Sequence, residues 1–271
     1  MKIWTNTKTL DGYLDGMEIT NNKKIAEILL LGGKSIDLEE FPLVRGIFRA
    51  GVGDNNIPYD ACTQRSVLTR LPSEKTKEYI YEETANFTCH TILQMMYRTD
   101  TAGNILGWIK KPRKFLGSRK LLIIGTGKIG QKVQLKMNNF MDVDTYDTAS
   151  NPPETLEGKM RQTDCVSLHI PLNLNTRCFI DAEKLSWMAD NAVLVNTSRG
   201  PIVDEQALLG ELADSRLNAA FDVFWEEPYR GPLLKHYPGS FHMTPHIAST
   251  CDQFLIESAK DFKEFVKELS L

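Results

Sequence analysis

Residues 120–147 of this 271-residue chain read KLLIIGTGKIGQKVQLKMNNFMDVDTYD, and no other stretch narrows the possible folds as far. Leu121, Leu122, Ile123 and Ile124 form a short apolar run of the kind a parallel strand buried on both faces requires. Gly125, Gly127 and Gly130 follow in the order G-x-G-x-x-G, a helical stretch starts near Lys128, and a second strand over 143–146 ends on Asp147. Each glycine has a physical task. Gly125 permits a tight turn, Gly127 lets a pyrophosphate approach the backbone, and Gly130 lets the helix pack close to the strand. Free N–H groups and the dipole at the helix start favour the phosphate charge. Asp147 can accept hydrogen bonds from both adenosine ribose hydroxyls and would repel a 2′-phosphate, so the pattern predicts NAD rather than NADP.

The length allows two modest domains or one large one. A net charge of −3 and a pI near 6.0 give no reason to expect nucleic acid or an anionic membrane as partner. No window approaches the roughly 20 apolar residues that cross a bilayer, and the opening MKIWTNTKTLDG lacks the apolar core of a signal peptide. Cys62, Cys89, Cys165, Cys178 and Cys251 are scattered and form no C-x-x-C pair. That argues against structural zinc or a disulfide framework and points to a reducing cytoplasm, with no metal expected.

Before the glycine motif, residues 1–50 read as a small α/β unit, with strands over 1–4 and 47–50 and a short apolar segment over 24–31 that Gly32 and Gly33 stop. The strand at 47–50 runs into Gly51, Val52, Gly53 and Asp54, where exposed backbone N–H groups suit a carboxylate; a plain strand-to-helix turn fits equally. Another strand is expected at 67–71. Residues 73–83 are charged and read as a surface loop or helix start, whereas Phe87, Ile92, Met95 and Met96 suggest a helix over 84–97 with one buried side. Residues 103–117 read as a linker with solvated Lys and Arg. Beyond Asp147, strands are expected at 165–170, 192–196 and 219–224, with helices at 181–188 and 205–212 capped by Asp181 and Asp204, and a loop at 241–244. Such alternation indicates a doubly wound parallel α/β sheet, whose ligands sit at the carboxyl ends of the strands.

Three of those ends carry an unusual set: Arg199 after AVLVN, Glu226 and Glu227 after AAFDVFW, and His246 after Pro245. An Arg clamps a carboxylate with two parallel hydrogen bonds. A His moves a hydroxyl proton, and a Glu beside it holds the imidazole and favours its charged form. Taken singly, each has an ordinary reading: a surface ion pair, a solvated acid, a loop histidine.

The stretches NTSRGPIVDEQAL, AAFDVFWEEP and TPHIAS, with RAGVGDNNI, GTGKIG and CVSLHIPLNLNTR, closely resemble the D-isomer-specific 2-hydroxyacid dehydrogenases. The match is nearly continuous over 115–249 and patchier before that. The resemblance implies a doubly wound Rossmann nucleotide-binding domain (93–249) inserted into a smaller flavodoxin-like substrate domain (1–92 plus 250–271), and a homodimer. It implies that Arg199 binds the substrate carboxylate and carbonyl, that Glu227 supports the histidine, and that His246 is the acid/base. Asp222 would contact the nicotinamide carboxamide, and the backbone of Val52 and Gly53 would bind the substrate carboxylate. Lys128, Ile129, Asp147, Pro171 and Ser198, with the three glycines, would line NAD. His169 is read as structural or cofactor-lining, and His90, His236 and His242 match no role. The implied reaction interconverts a 2-oxo acid and its D-2-hydroxy acid. Arg49 resembles the phosphoglycerate branch, where an Arg there can meet a second anion, although a strand-end surface charge fits it as well.

Several features depart from the family pattern. The region before GVG is short, extra residues lie between Pro72 and Ala85, Asn86 replaces an acid in ANFT, and the stretch before Lys120 lacks the usual G-x-E-L-x-G-K-T. These bear on substrate identity and quaternary structure more than on cofactor binding. Two rivals share the pattern: an NAD-sensing, corepressor-like binding protein, and a dehydrogenase of the same reaction class that oxidises a non-carbon acid such as phosphite.

Overall fold

The computed structural model describes residues 1–97, 110 and 112–270. Most of the linker read at 103–117 lies outside the described residues. In chain order the elements are β1 (Lys2–Thr5), β2 (Glu18–Ile19), β3 (Ile28–Leu31), β4 (Gly46–Arg49), α1 (Tyr59–Gln64), β5 (Leu68–Arg70) and α2 (Glu74–Tyr97). They continue with β6 (Lys120–Ile124), α3 (Lys128–Met137), β7 (Asp142–Tyr146), α4 (Thr155–Met160), β8 (Cys165–Leu168), α5 (Ala182–Trp187) and β9 (Val193–Asn196). The last are α6 (Glu205–Ala213), β10 (Asn218–Phe221), β11 (Phe241–Met243) and α7 (Asp252–Leu269). Two compact units result, Met1–Glu83 with Ser249–Leu271, and Thr84–Ala248.

The first unit is built on a parallel five-stranded sheet of order β2-β1-β3-β4-β5, the flavodoxin-like order. Strand β3 shows why a run of four apolar residues is needed. Ile28 and Leu30 face a core with Phe48, Phe262 and Phe265, while Leu29 and Leu31 face another with Phe41, Ile47 and Cys62. Phe254, Ser258, Phe262 and Phe265 supply the buried stripe of α7 at helical spacing, and the Phe48 and Phe262 rings stand 5.3 Å apart.

The second unit is a parallel six-stranded sheet of order β11-β10-β9-β8-β6-β7. Strand order reverses between β6 and β8, which places the ligand crevice of such a doubly wound sheet at their carboxyl ends. Leu121 and Ile123 pack with Ala85, Ile92 and Met96 of α2, and Leu122 and Ile124 with Leu156, Val166 and Leu194 on the other face. The Met95–Met96 pair is thus core.

One of two readings is selected and one expected element differs. Of the loop and the helix start that residues 73–83 allow, the helix start holds: 74–83 are the first turns of α2, with Ser73 Oγ accepting from Thr76 N (3.3 Å) and Asp261 Oδ2 accepting from Ser73 N (2.8 Å) and Thr76 Oγ1 (2.7 Å). Lys75 also pairs with Glu257 at 3.1 Å. The segment 241–243 is a strand, with Phe241 buried and paired to Ala219. Three residues are too few to show an alternation that could be read in advance.

Candidate active site

At the end of β6, Gly125 adopts a φ of +103°, and a Cβ there would stand 2.9 Å from Ile170 N. A side chain at Gly130 would run into the carbonyl oxygen of Gly125. Both glycines are therefore imposed by packing. Gly127, the N-cap of α3, is different: a Cβ there would meet nothing within 4 Å. The open space lies over the backbone N–H groups at the start of a ten-residue helix, where phosphate oxygens are stabilised. Lys128 is exposed and Ile129 half-buried beside it.

Asp147 closes β7. Its Oδ2 accepts from Thr126 N (2.8 Å) and Thr126 Oγ1 (2.7 Å), and its Oδ1 accepts from Ala149 N (3.0 Å). The Thr126 N–H, the Ala149 N–H and the Thr126 hydroxyl together hold this carboxyl below its ordinary range against a smaller opposing effect of burial. An ionised acid is thus tied directly to the glycine loop. Thr126 is part of this arrangement and was not singled out in the sequence, where a hydroxyl inside G-x-G has no distinguishing spacing. The donor set, the open Gly127 and the fixed carboxylate fit the pyrophosphate and ribose of NAD.

His169 follows β8, with its Nε2 2.9 Å from Ser167 Oγ and its backbone N–H donating to Ile124 O at 2.7 Å. Burial pushes its imidazole down to about 4, which leaves it neutral at physiological pH. A folded-state value below the unfolded one means that its contribution is fully present above about pH 6.5 and is lost as pH falls toward 4. At about 1.4 kcal/mol per unit, lowered somewhat for partial exposure, this amounts to about 2–3 kcal/mol. Urea unfolding at pH 7.0 and 4.5 should therefore show wild type losing about that much more stability than His169→Gln. Equal losses would contradict a buried neutral imidazole.

The three strand ends meet within the second unit. After β9, Asn196, fully buried, donates through Nδ2 to Arg199 O (2.9 Å) and accepts at Oδ1 from Ser198 N (3.0 Å). The Ser198 hydroxyl donates to Leu168 O in a short hydrogen bond, and Arg199 Nη1 donates to Ser198 O at 2.6 Å. Pro171 is exposed beyond β8, its carbonyl accepting from Thr176 Oγ1 at 2.6 Å. A Cβ at Gly200 would sit 2.5 Å from Trp225 N, so only glycine lets the Arg199 turn lie against the turn after β10. That second turn carries Glu227. Its Oε1 accepts from Phe224 N (3.1 Å) and its Oε2 lies 2.8 Å from His246 Nδ1. Glu226 is exposed and makes no such contact.

Burial opposes ionisation of Glu227, but the hydrogen bond and charge of His246, the Phe224 N–H and the charge of Arg199 outweigh it and hold the carboxyl below its usual range. A carboxylate can only accept, so Nδ1 carries the proton, and Nε2 is left as the nitrogen that can give or take one. His246 sits at a φ of +55°, a region few non-glycine residues enter. Asp222 stabilises that backbone. It is 1% exposed and accepts from Thr244 Oγ1 (2.6 Å), Ile247 N (2.9 Å) and Ala248 N (2.8 Å), groups on both sides of the histidine. Burial raises its carboxyl above the ordinary value, and these three donors and His246 oppose the rise.

Residues 90–248 match the family model described as D-isomer specific 2-hydroxyacid dehydrogenase, NAD binding domain. The chain belongs to the D-isomer specific 2-hydroxyacid dehydrogenases. It is an NAD-dependent enzyme of that family. The dehydrogenase is 30% identical over 238 residues to a glyoxylate reductase of Thermococcus litoralis, covering 78% of this chain and 70% of that one. It is 32% identical over 231 residues to an (S)-sulfolactate dehydrogenase of Chromohalobacter salexigens, covering 78% and 72%. Among solved structures, D-lactate dehydrogenase of Aquifex aeolicus, complexed with NAD and lactic acid, shares the fold with a TM-score of 0.83 at 23% identity, covering 100% of this chain and 95% of that one.

In the first unit, β4 leads into Gly51, whose φ is +152°. Asn56 Nδ2, beneath the loop, donates to Gly32 O and Lys34 O at 2.9 Å each. Among the described residues, the N–H groups of Val52 and Gly53 donate to no protein acceptor. Arg49 is not a surface charge: it is 6% exposed, and its Nη1 donates to Ala50 O at 2.5 Å.

Proposed function

We propose that the dehydrogenase interconverts a D-2-hydroxy acid and its 2-oxo acid, with His246 as acid/base, Glu227 holding the imidazole and Arg199 clamping the substrate carboxylate. The observation that carries this reading is the His246–Glu227 hydrogen bond of 2.8 Å in a turn where the charge of Arg199 is felt at Glu227. When bound, NAD supplies the acceptor and donor of hydride. The chain supplies everything that moves the proton and orients the acid. His246 Nε2 gives a proton to the carbonyl oxygen during reduction and takes it from the hydroxyl during oxidation. Glu227 stabilises the charged imidazole, and the planar guanidinium of Arg199 fixes the carboxylate. The N–H groups of Val52 and Gly53, which donate to no protein acceptor among the described residues, suit a carboxylate.

For the cofactor, Gly125, Gly127 and Gly130 with Lys128 and Ile129 form the phosphate turn. Asp147, with three of its roughly four acceptor positions spent on Thr126 and Ala149, takes a ribose hydroxyl, and Pro171 and Ser198 flank the cofactor. Asp222 spends three of its roughly four acceptor positions on the chain, which leaves one for the carboxamide N–H. Residues 1–92 with 250–271 serve as the substrate domain and 93–249 as the NAD domain, in a cytoplasmic homodimer. Relatives of this chain are named for glyoxylate, hydroxypyruvate, sulfolactate and phosphoglycerate. We therefore expect NADH consumption with small 2-oxo acids from such a panel, followed at 340 nm. Tight NADH binding without turnover on any of them would reject the reading.

A further inference from the structure

Glu227 lies midway between two side chains that proton and hydride transfer do not use, and both are fastened to the same stretch of chain. Two residues before it, Trp225 donates through Nε1 to Val203 O at 2.8 Å. Two residues after it, the Tyr229 phenol donates to Glu205 Oε1 at 2.6 Å and accepts from Leu233 N at 3.1 Å. Val203 and Glu205 flank Asp204, the N-cap of α6, whose Oδ1 accepts from Gln206 N (2.9 Å) and Ala207 N (3.0 Å). The anchor is thus itself fixed by a helix cap. The rings are packed as well: Tyr229 stacks on Phe224 with centroids 4.8 Å apart, and Trp225 on Phe221 at 5.7 Å. A Cβ on Gly231 would stand 2.5 Å from Tyr229 Cζ, so the phenol lies against backbone that only glycine leaves clear. Burial, with the hydrogen bond and charge of Glu205, pushes the phenol up against the opposing Leu233 N–H, which keeps Tyr229 a donor at neutral pH. Within the turn, the Phe224 N–H holds Glu227 Oε1 and leaves Oε2 for His246 Nδ1.

We propose that Tyr229 and Glu205 are positioning residues for proton transfer: their hydrogen bond holds the 224–229 turn so that the Glu227 carboxylate stays on His246 Nδ1. The inference rests on the reading of His246 as acid/base and Glu227 as the group that holds its imidazole. Without the bond the turn loses one of its two fastenings, and the carboxylate samples positions off Nδ1. A misplacement of about 1 Å in a catalytic arrangement costs up to about 10²-fold in rate, and a loosened turn is displaced for only part of the time, so a loss of about tenfold is expected.

Tyr229→Phe keeps the ring stack and removes the hydroxyl. With the full chain, NADH and whichever of glyoxylate and hydroxypyruvate turns over faster, kcat should fall about tenfold, while KM and NADH affinity each change by less than about threefold. Glu205→Ala should match it. Glu205→Gln, whose amide oxygen still accepts from the phenol, should stay within about threefold of wild type. In a Glu227→Gln background, Tyr229→Phe should cost less than about twofold more, because residues acting through one bond are not additive. The Nδ1–H proton of His246 gives a reading that needs no turnover. It is assigned by NMR of isotope-labelled histidine from its loss in His246→Asn, and its exchange with solvent should quicken about fivefold or more in Tyr229→Phe. An unchanged exchange rate overturns the proposal whether or not an oxo acid is reduced. Where Glu227→Gln lowers kcat, a Tyr229→Phe kcat within about twofold of wild type, or equal losses in both Glu227 backgrounds, also overturns it. If Glu227→Gln leaves kcat intact while Tyr229→Phe still quickens the exchange, the fastening stands and the role given to the His246–Glu227 pair falls.

Discussion

Replacing His246 by asparagine is expected to lower kcat about 10²–10⁴-fold, the usual contribution of a positioned general acid. Asparagine is the informative substitution because His246 holds a φ of +55°, which Asn tolerates better than Ala or Leu. The backbone held by Asp222 then survives while Nε2 is lost. NADH affinity, measured by fluorescence titration, should change by less than about threefold, since the glycine turn and Asp147 lie on other strand ends. A kcat within tenfold of wild type would remove His246 from the chemistry. Glu227→Gln should behave as a partial version of this change. Its neutral amide keeps the size but no longer favours a charged imidazole, so the loss should fall mainly on the proton-transfer step.

Arg199→Lys should lower kcat/KM for the 2-oxo acid about 10²-fold, most of it through KM. A lysine keeps the charge but cannot offer two parallel donors to a carboxylate, and each charge-assisted hydrogen bond is worth about 1.5–3 kcal/mol. The turn itself should persist, because Asn196 binds the backbone of residues 198 and 199 and not the side chain of Arg199. Steady-state kinetics on hydroxypyruvate with saturating NADH would show the effect. A loss below about threefold, or an equal loss in NADH affinity, would mean that Arg199 serves another purpose.

Much of this site could be read from residue order. A strand, three glycines, a helix, a strand and an acid have few physical explanations other than a dinucleotide turn, and the structure bears out that order from Lys120 to Asp147. Arg199 and Glu227 were legible because each follows an apolar run that reads as a strand, and strand ends are where such a sheet gathers its ligands, whereas His246 was legible from its own short motif after what read as a loop. Their mutual distances were not. That Glu227 and not Glu226 reaches His246 depends on the path of a turn, and the turn is held by a Phe224 N–H and by Gly200 packing on the Trp225 backbone.

Sequence alone determined what is local and periodic: the strands buried on both faces, the glycine turn, the N-caps at Asp181 and Asp204, and the residues able to do acid–base chemistry. The tertiary structure decided what depends on partners distant in the chain. Asp261, far along the sequence, ties down the start of the helix at 74–83, and 241–243 is a strand because β10 lies alongside. Arg49 points inward and Asp54 outward on one loop, and Asp222 is committed to the backbone around His246. Hydrogen bonds between residues tens or hundreds of positions apart leave no spacing to read, so only the folded chain reveals them.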